Sequence, residues 1–371
     1  MTQHNWFHIN NPNEIDSPAL LVYPERVKAN IQAAIKMIGD INRLRPHVKT
    51  HKCAEVARLM MDAGIYKFKC ATIAEAEMLG INKAKDVLLA YQPVGPKLER
   101  FIALIKKYPD TQFSCLTDNQ VSAAEQSKAF SGAGLQVPVY IDLNIGMNRT
   151  GISPGDEALE LYRSCSTAGG IIIKGLHAYD GHIRDIDLSE KKKNCDDAFA
   201  KVEALAEKIV SMGLPKPIII AGGSPTFSVH CKRKNIECSP GTFIYWDHGY
   251  SVLCPEQDFI PAAILLTRVI SLPGEGIICT DLGHKSVAAE NEITKRIFFP
   301  EFEFLNAIAQ SEEHLVLENK AGTPFATGDI LYGIPWHICP TVALYDSVKI
   351  IENGKCITEW KNIARDRKIS I

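Results

Sequence analysis

The stretch Arg45-Pro46-His47-Val48-Lys49-Thr50-His51-Lys52 carries the side chains best suited to covalent chemistry. It reads as a short strand (44–48) ending in a lysine and followed by an amphipathic helix. Alternation along a strand places Arg45, His47 and Lys49 on one side and Leu44, Pro46 and Val48 on the other. An amine at the carboxyl end of a buried strand, among cationic or titratable neighbours, loses basicity and attacks carbonyl carbon, as a Schiff-base lysine must. Most lysines are simply solvated, so this stretch needs support from elsewhere in the chain.

Two glycine-bearing turns supply it. Ala221-Gly222-Gly223-Ser224-Pro225-Thr226 and Pro240-Gly241-Thr242 let backbone amides approach an anion, and the hydroxyls of Ser224 and Thr226 could donate beside them. Each turn alone is ordinary turn chemistry. Asn144-Ile145-Gly146-Met147-Asn148-Arg149-Thr150-Gly151 offers a planar guanidinium for a phenolate or carboxylate. In His177-Ala178-Tyr179-Asp180-Gly181-His182, Tyr179 could stack on or bond to an aromatic ring, and His182 could serve as a base or stand in a solvated loop. His337 and Cys339, one residue apart, share a face if they lie in a strand. Imidazole with thiolate suits zinc, although a cysteine among apolar neighbours is more often core.

These groups need a scaffold. Strand-like runs fall at 44–48, 66–71, 86–91, 112–117, 137–143, 171–178, 217–221 and 235–239, with helical patterns between them such as 55–63, 74–79, 96–107, 119–130 and 189–212. Eight strands alternating with helices predict an α/β fold, a parallel (β/α)8 TIM barrel. An open doubly wound sheet is the alternative, and no G-x-G-x-x-G follows the first strand to support it. In a barrel the active site forms at the carboxyl ends of the strands and phosphate binds after the seventh and eighth, where both glycine turns fall. From about residue 250 short runs separated by turns (260–272, 277–282, 314–318, 330–332, 348–352) predict a second, mostly β domain. The strand Ala19–Tyr23 joins it, giving a barrel over 24–249 and a β domain from 1–23 plus 250–371.

Composition narrows the function class. A net charge of −2 argues against nucleic acid and membrane surfaces, and the basic tripeptides at 191–193 and 232–234 read as solvated faces. No run approaches the length that spans a bilayer, and residues 1–18 have no apolar signal core. Eleven cysteines without regular spacing fit a reducing cytoplasm.

RPHVKTHK, GMNRTG, GLHAYDGH, AGGSPT, SPGT, SEEH (311–314) and PWHICPTVALYD (335–346) together resemble the alanine racemase-like enzymes that use pyridoxal 5'-phosphate (fold type III). Within that group they look most like the D-threonine aldolase and D-serine dehydratase branch. The resemblance implies that Lys49, preferred over Lys52, forms the Schiff base, that Arg149 meets the 3-hydroxyl oxygen, and that Gly223, Ser224, Gly241 and Thr242 cradle the phosphate. Racemases carry an arginine where this chain has Ser239, so Tyr179 or Ser239 is left to contact the ring nitrogen. The resemblance also implies a divalent metal on His337 and Cys339, zinc first, with manganese or magnesium as alternatives. Cys339 points to D-serine dehydratase-like elimination of water from a small D-3-hydroxy amino acid, with Lys49 as the α-proton base. The alternatives are the D-threonine aldolase reaction, with His182 as base, an amino acid racemase, and a non-catalytic cofactor-binding protein. A homodimer is implied by resemblance alone.

Overall fold

The apolar tetrapeptide Ala19–Val22 forms β1, and Pro24 opens α1 (Pro24–Ile38), where its missing N–H leaves no helical bond unmade. This is a computed structural model describing residues 6–371. Strands and helices then alternate: α2 (Ala54–Asp62), β2 (Lys67–Cys70), α3 (Ile73–Ile81), β3 (Asp86–Leu89), α4 (Pro96–Lys107), β4 (Gln112–Thr117), α5 (Gln120–Gly132), β5 (Val137–Leu143) and α6 (Asp156–Thr167). They continue through β6 (Ile171–Ala178), α7 (Leu188–Ser211), β7 (Ile218–Ala221), the single turn α8 (Phe227–His230), β8 (Ile236–Cys238) and α9 (His248–Leu253). Thr72, Asn119 and Asp187 cap α3, α5 and α7, their side-chain oxygens accepting N–H groups of the first turn.

The remaining elements are β9 (Ala263–Gly274), β10 (Ile277–Thr280), β11 (Ile297–Phe298), β12 (Leu305–Gln310), β13 (Leu315–Asn319), β14 (Ile330–Pro335), α10 (Ile338–Val342), β15 (Ser347–Glu352) and β16 (Lys355–Lys361). The chain divides into two compact units. One holds the described residues through Ile31, Thr50–Glu55 and Thr242–Ile363; the other holds Gln32–Lys49, Val56–Gly241 and Ala364–Ile371.

In the second of these units β2 to β8 pair in parallel, each with its sequence neighbour. Residues 44–47 close the ring. Leu44 bridges Cys238, His47 bridges Lys69, and the N–H groups of Arg45 and His47 reach Cys238 O (2.8 Å) and Pro240 O (2.9 Å). The result is the expected (β/α)8 barrel, with one correction to the first strand. Pro46 has no N–H for a ladder, so pairing is confined to single bridges, and Val48–Thr50 turns into a 3-10 helix. Lys49 therefore sits in a turn rather than at the end of a continuous strand.

The barrel interior is layered. Leu88, Leu116, Tyr140 and Ile220 form an apolar cluster. Arg45, 1% exposed, makes a bidentate pair with Asp86 (2.7 and 2.9 Å) and a bond to Glu237 (2.8 Å), which Lys67 also contacts. Burial works against the Arg45 charge, but the two carboxylates override it and raise its pKa.

The other unit is mostly β. Its main path runs β12-β13-β10-β9-β1-β15-β16, with β14 pairing both β9 and β11. Phe7, Ile9, Ile15, Leu21, Ile264, Leu266 and Tyr332 belong to its core. No helix among the described residues is long and apolar enough to cross a membrane.

Candidate active site

A cavity of about 620 Å³ opens in the barrel unit, lined by residues from the carboxyl ends of its strands and the loops that follow. Lys49, His47, Lys69, Asp142, Arg149, His177 and Tyr179 all contribute to the wall. The neighbouring turn holds the Lys49 backbone: its N–H reaches His47 Nδ1 at 3.3 Å. Lys52 does not line the cavity, and its backbone takes φ +51°.

Arg149 is presented by a loop that Asn144 organises, its side-chain oxygen accepting the N–H groups of Gly146 (3.1 Å) and Asn148 (3.0 Å). The guanidinium carbon lies 5.1 Å from the centroid of the Tyr179 ring. Lys69 Nζ lies 5.5 Å from the same centroid. Gly223 lets this ring in: a Cβ there would come within 2.8 Å of Tyr179 Cε2. Gly222 takes φ +75°, which favours glycine.

The two glycine turns meet. Ser224, buried, accepts the Gly241 N–H on Oγ at 3.1 Å, and the Ser239 N–H reaches Gly222 O at 3.0 Å. Among the sequence-derived candidates, Gly223, Ser224, Ser239 and Gly241 thus fall in one connected turn. The cavity wall carries a primary amine, a guanidinium and an aromatic face, and the glycine turn, itself off that wall, packs against Tyr179 through Gly223; the set fits pyridoxal phosphate in donor chemistry and room. His182 is exposed, packs against Gly146 and is absent from the cavity wall.

Sequence reasoning missed three groups on that wall. His177 Nδ1 lies 2.7 Å from Asp142 Oδ1, and Thr150 donates to the other carboxylate oxygen at 2.8 Å. Burial would raise the pKa of Asp142, but these bonds hold it below its ordinary value; burial pushes His177 down despite Asp142. The third is Lys69, 2% exposed, with Nζ 2.5 Å from Ser239 Oγ. For Asp142 and His177, a titratable residue at the carboxyl end of a barrel strand was the available signal.

In the other unit, β14 ends at Pro335, so His337 and Cys339 are not on a strand as expected. His337 is the N-cap of α10 and Cys339 lies in that helix's first turn. The two side chains still hydrogen-bond to each other. His337 Nδ1 lies 2.5 Å from Glu290 Oε1, and Cys339 Sγ lies 3.2 Å from Thr50 Oγ1 and 3.5 Å from Thr242 Oγ1. Thr242 was expected at the phosphate; its hydroxyl here meets Cys339. Burial works to lower the His337 pKa, yet Cys339, Asp247 and Glu290 raise it to about 9. Imidazole, thiol and a carboxylate behind the imidazole form a set that suits a soft divalent ion. No spacing rule marks Glu290, which lies 47 residues before His337.

A model of the alanine racemase N-terminal domain matches residues 22–248, and one of a serine dehydratase domain matches residues 262–351. The 3-hydroxy-D-aspartate aldolase of Paracoccus denitrificans is 25% identical, the alignment covering 96% of this chain and 93% of that protein. The D-threo-3-hydroxyaspartate dehydratase of a Delftia species is 23% identical over 94% of this chain and 97% of its own length. The crystal structure of D-threonine aldolase from Filomicrobium marinum superposes with a TM-score of 0.87 at 26% identity, covering 95% of this chain and 96% of that one. A D-threo-3-hydroxyaspartate dehydratase in which a cysteine is replaced by alanine, described as metal-free, shares the fold (TM-score 0.83, 21% identity, 95% and 98% coverage).

Proposed function

The chain belongs to the alanine racemase N-terminal domain family, and from that premise we propose that it is a pyridoxal 5'-phosphate- and metal-dependent lyase that removes water from a small D-3-hydroxy amino acid. The observation that carries this reading is the cavity itself, where Lys49 shares one wall with Arg149 and Tyr179. Relatives aligned over nearly the whole chain include aldolases and dehydratases of D-hydroxy amino acids, which supports the lyase class.

Lys49 would hold the cofactor through Nζ, Arg149 its phenolic oxygen, and Gly223, Ser224 and Gly241 its phosphate; Tyr179 would lie against the ring. Bound pyridoxal phosphate would supply an aldehyde carbon for Lys49 and a ring that spreads negative charge. His337 and Cys339 would hold a divalent ion, zinc first, which when bound would supply a Lewis acid for a hydroxyl oxygen. The free amine of Lys49 would act as the base that takes the proton from the substrate Cα. The β-carbon–oxygen bond then breaks, hydroxide leaves, and hydrolysis releases a 2-oxo acid and ammonia. The zinc assignment rests on the Cys339 thiol beside the His337 imidazole, a softer pair than oxygen ligands alone would give.

The second reading is retro-aldol cleavage to glycine and an aldehyde. It is favoured by the whole-length similarity to the two aldolases. His182 was the expected base for that route, and its exposed place off the cavity wall gives it no support. Incubating the holoenzyme with D-serine, D-threonine and D-threo-3-hydroxyaspartate, with and without a chelator, separates the two. A 2-oxo acid and ammonia, lost on chelation, are expected; glycine plus an aldehyde would replace the dehydratase with the aldolase.

The same reading takes residues 24–249 as the cofactor domain and the rest as the metal-bearing domain. It also takes the working enzyme as a homodimer, and as cytoplasmic in keeping with its eleven cysteines, nine of them buried.

A further inference from the structure

Lys69 has no role in the chemistry above. It lies on β2 beside His47, lines the cavity and is 2% exposed. Taking an ammonium out of water is costly unless it is paired, and the hydrogen-bond partner of Nζ among the described residues is a hydroxyl, Ser239 Oγ. Burial first, then the charge of Lys49, lowers its pKa to about 7; Asp142 and Asp180 pull the other way and Arg45 adds to the lowering. A side chain kept at this cost has a use.

Pyridoxal phosphate offers a protein four handles: the aldehyde, the phenolic oxygen, the phosphate and the ring nitrogen. On the reading given above, which this inference rests on, the first three belong to Lys49, Arg149 and the Gly223–Ser224–Gly241 turn. The ring nitrogen is para to the carbon that bears the aldehyde, so its partner must be another group. That partner decides the proton: a carboxylate stabilises the protonated ring, whereas an N–H donor or a cation leaves the nitrogen a bare acceptor. The carboxylates on the cavity wall are engaged. Asp142 accepts from His177 and Thr150, and Asp118 accepts from the Gly151 N–H (3.0 Å) and from Asn119 (2.8 Å).

Ser239 is built into the phosphate turn. It immediately precedes Pro240-Gly241, and its N–H bonds to Gly222 O. A hydroxyl alone fixes no charge, but this one is tied to Lys69 at 2.5 Å. We propose that Lys69, held in place by Ser239 Oγ, meets the ring nitrogen from the cavity wall and keeps it unprotonated. A ring without that proton withdraws less charge, which shortens the life of negative charge at Cα. Loss of a β-hydroxyl is then favoured over return of the α-proton.

The test uses holoenzyme loaded with pyridoxal phosphate carrying nitrogen-15 in the ring, with bound cofactor counted after borohydride reduction. The ring-nitrogen chemical shift of the wild type is expected at the unprotonated position, and Lys69→Met is expected to move it toward the protonated one. Ser239→Ala, which removes the hydroxyl that holds Lys69 and keeps Lys69 itself, is expected to move it the same way and decides the case if Lys69→Met does not retain cofactor. A protonated ring in the wild type, or a shift unchanged in the cofactor-retaining variants, would overturn the inference and leave the lyase reading standing. A wild-type protein that takes up no cofactor would overturn both.

Discussion

The imidazole of His337 bonds through Nδ1 to the carboxylate of Glu290, 2.5 Å away, so Nε2 is the nitrogen available for coordination. A carboxylate behind a metal-binding histidine fixes its tautomer and its ring orientation. Replacing Glu290 with glutamine is expected to weaken zinc binding about 10- to 100-fold. Competition against a chromogenic chelator measures it, and unchanged affinity would show that Glu290 does not support the proposed His337–Cys339 metal pair.

Acid should destabilise this protein from an early pH, because His51 is fully buried. Burial lowers its pKa from 6.5 to about 3, so the folded chain keeps it neutral where the unfolded chain takes up a proton. The stability His51 contributes is present above pH 6.5 and is lost as pH falls toward 3. Within that window each proton taken up only on unfolding gives a slope of about 1.4 kcal/mol per pH unit. His51→Asn is expected to reduce proton uptake on unfolding near pH 5 by about one proton, measured from stability against pH. An unaltered slope would mean that His51 is charged in the native state.

Much of this architecture was legible in the residues, and the failures have physical causes. The ranges 112–117, 137–143 and 171–178 coincide with β4, β5 and β6 because both faces of these strands are largely buried and their apolar runs are nearly continuous. β16 went unseen because six of its seven residues are exposed, so no alternation marks it. Helix α6 starts after Gly155 with no side-chain cap. Lys49, Arg149, Tyr179 and the glycine turns could be placed because strand ends are where a barrel puts its chemistry. Lys69 could not. In Lys67-Phe68-Lys69-Cys70 the lysines look like the solvent face of a half-buried strand, yet both meet interior partners, Glu237 and Ser239. Alternation gives the period of a strand without saying which face is the inside of a closed barrel.

The Arg45 network should behave as a buried charge, not as a surface ion pair. Removing one partner of such a pair commonly costs about 3–5 kcal/mol, because the other charge is left in low dielectric. Since Asp86 still grips Arg45 bidentately, Glu237→Gln is expected near the low end of that range. Urea unfolding reads the change directly. A loss under about 1 kcal/mol would show that water reaches the guanidinium.

The carboxyl-terminal segment is fastened to the barrel through Glu77. Its buried carboxylate accepts the N–H groups of Ser370 (3.0 Å) and Ile371 (3.2 Å), the Ser370 hydroxyl and Lys107. Burial would raise the Glu77 pKa, but these bonds, Ser370 foremost, lower it to about 2. The stabilisation is therefore present above the ordinary value of 4.5 and disappears as pH falls toward 2. Glu77→Gln is expected to loosen residues 364–371 by about 1–3 kcal/mol, seen as faster amide exchange at Ser370 and Ile371. Exchange unchanged from wild type would show that the tail is held by other contacts.

Borohydride reduction of the cofactor-loaded protein, followed by mapping of the pyridoxyl-labelled peptide, tests the core of this account most directly. The label is expected on Lys49 alone, and Lys49→Ala is expected to abolish it. A label on Lys52 or Lys69, or no label on a protein that retains its cofactor, would contradict the assignment of Lys49.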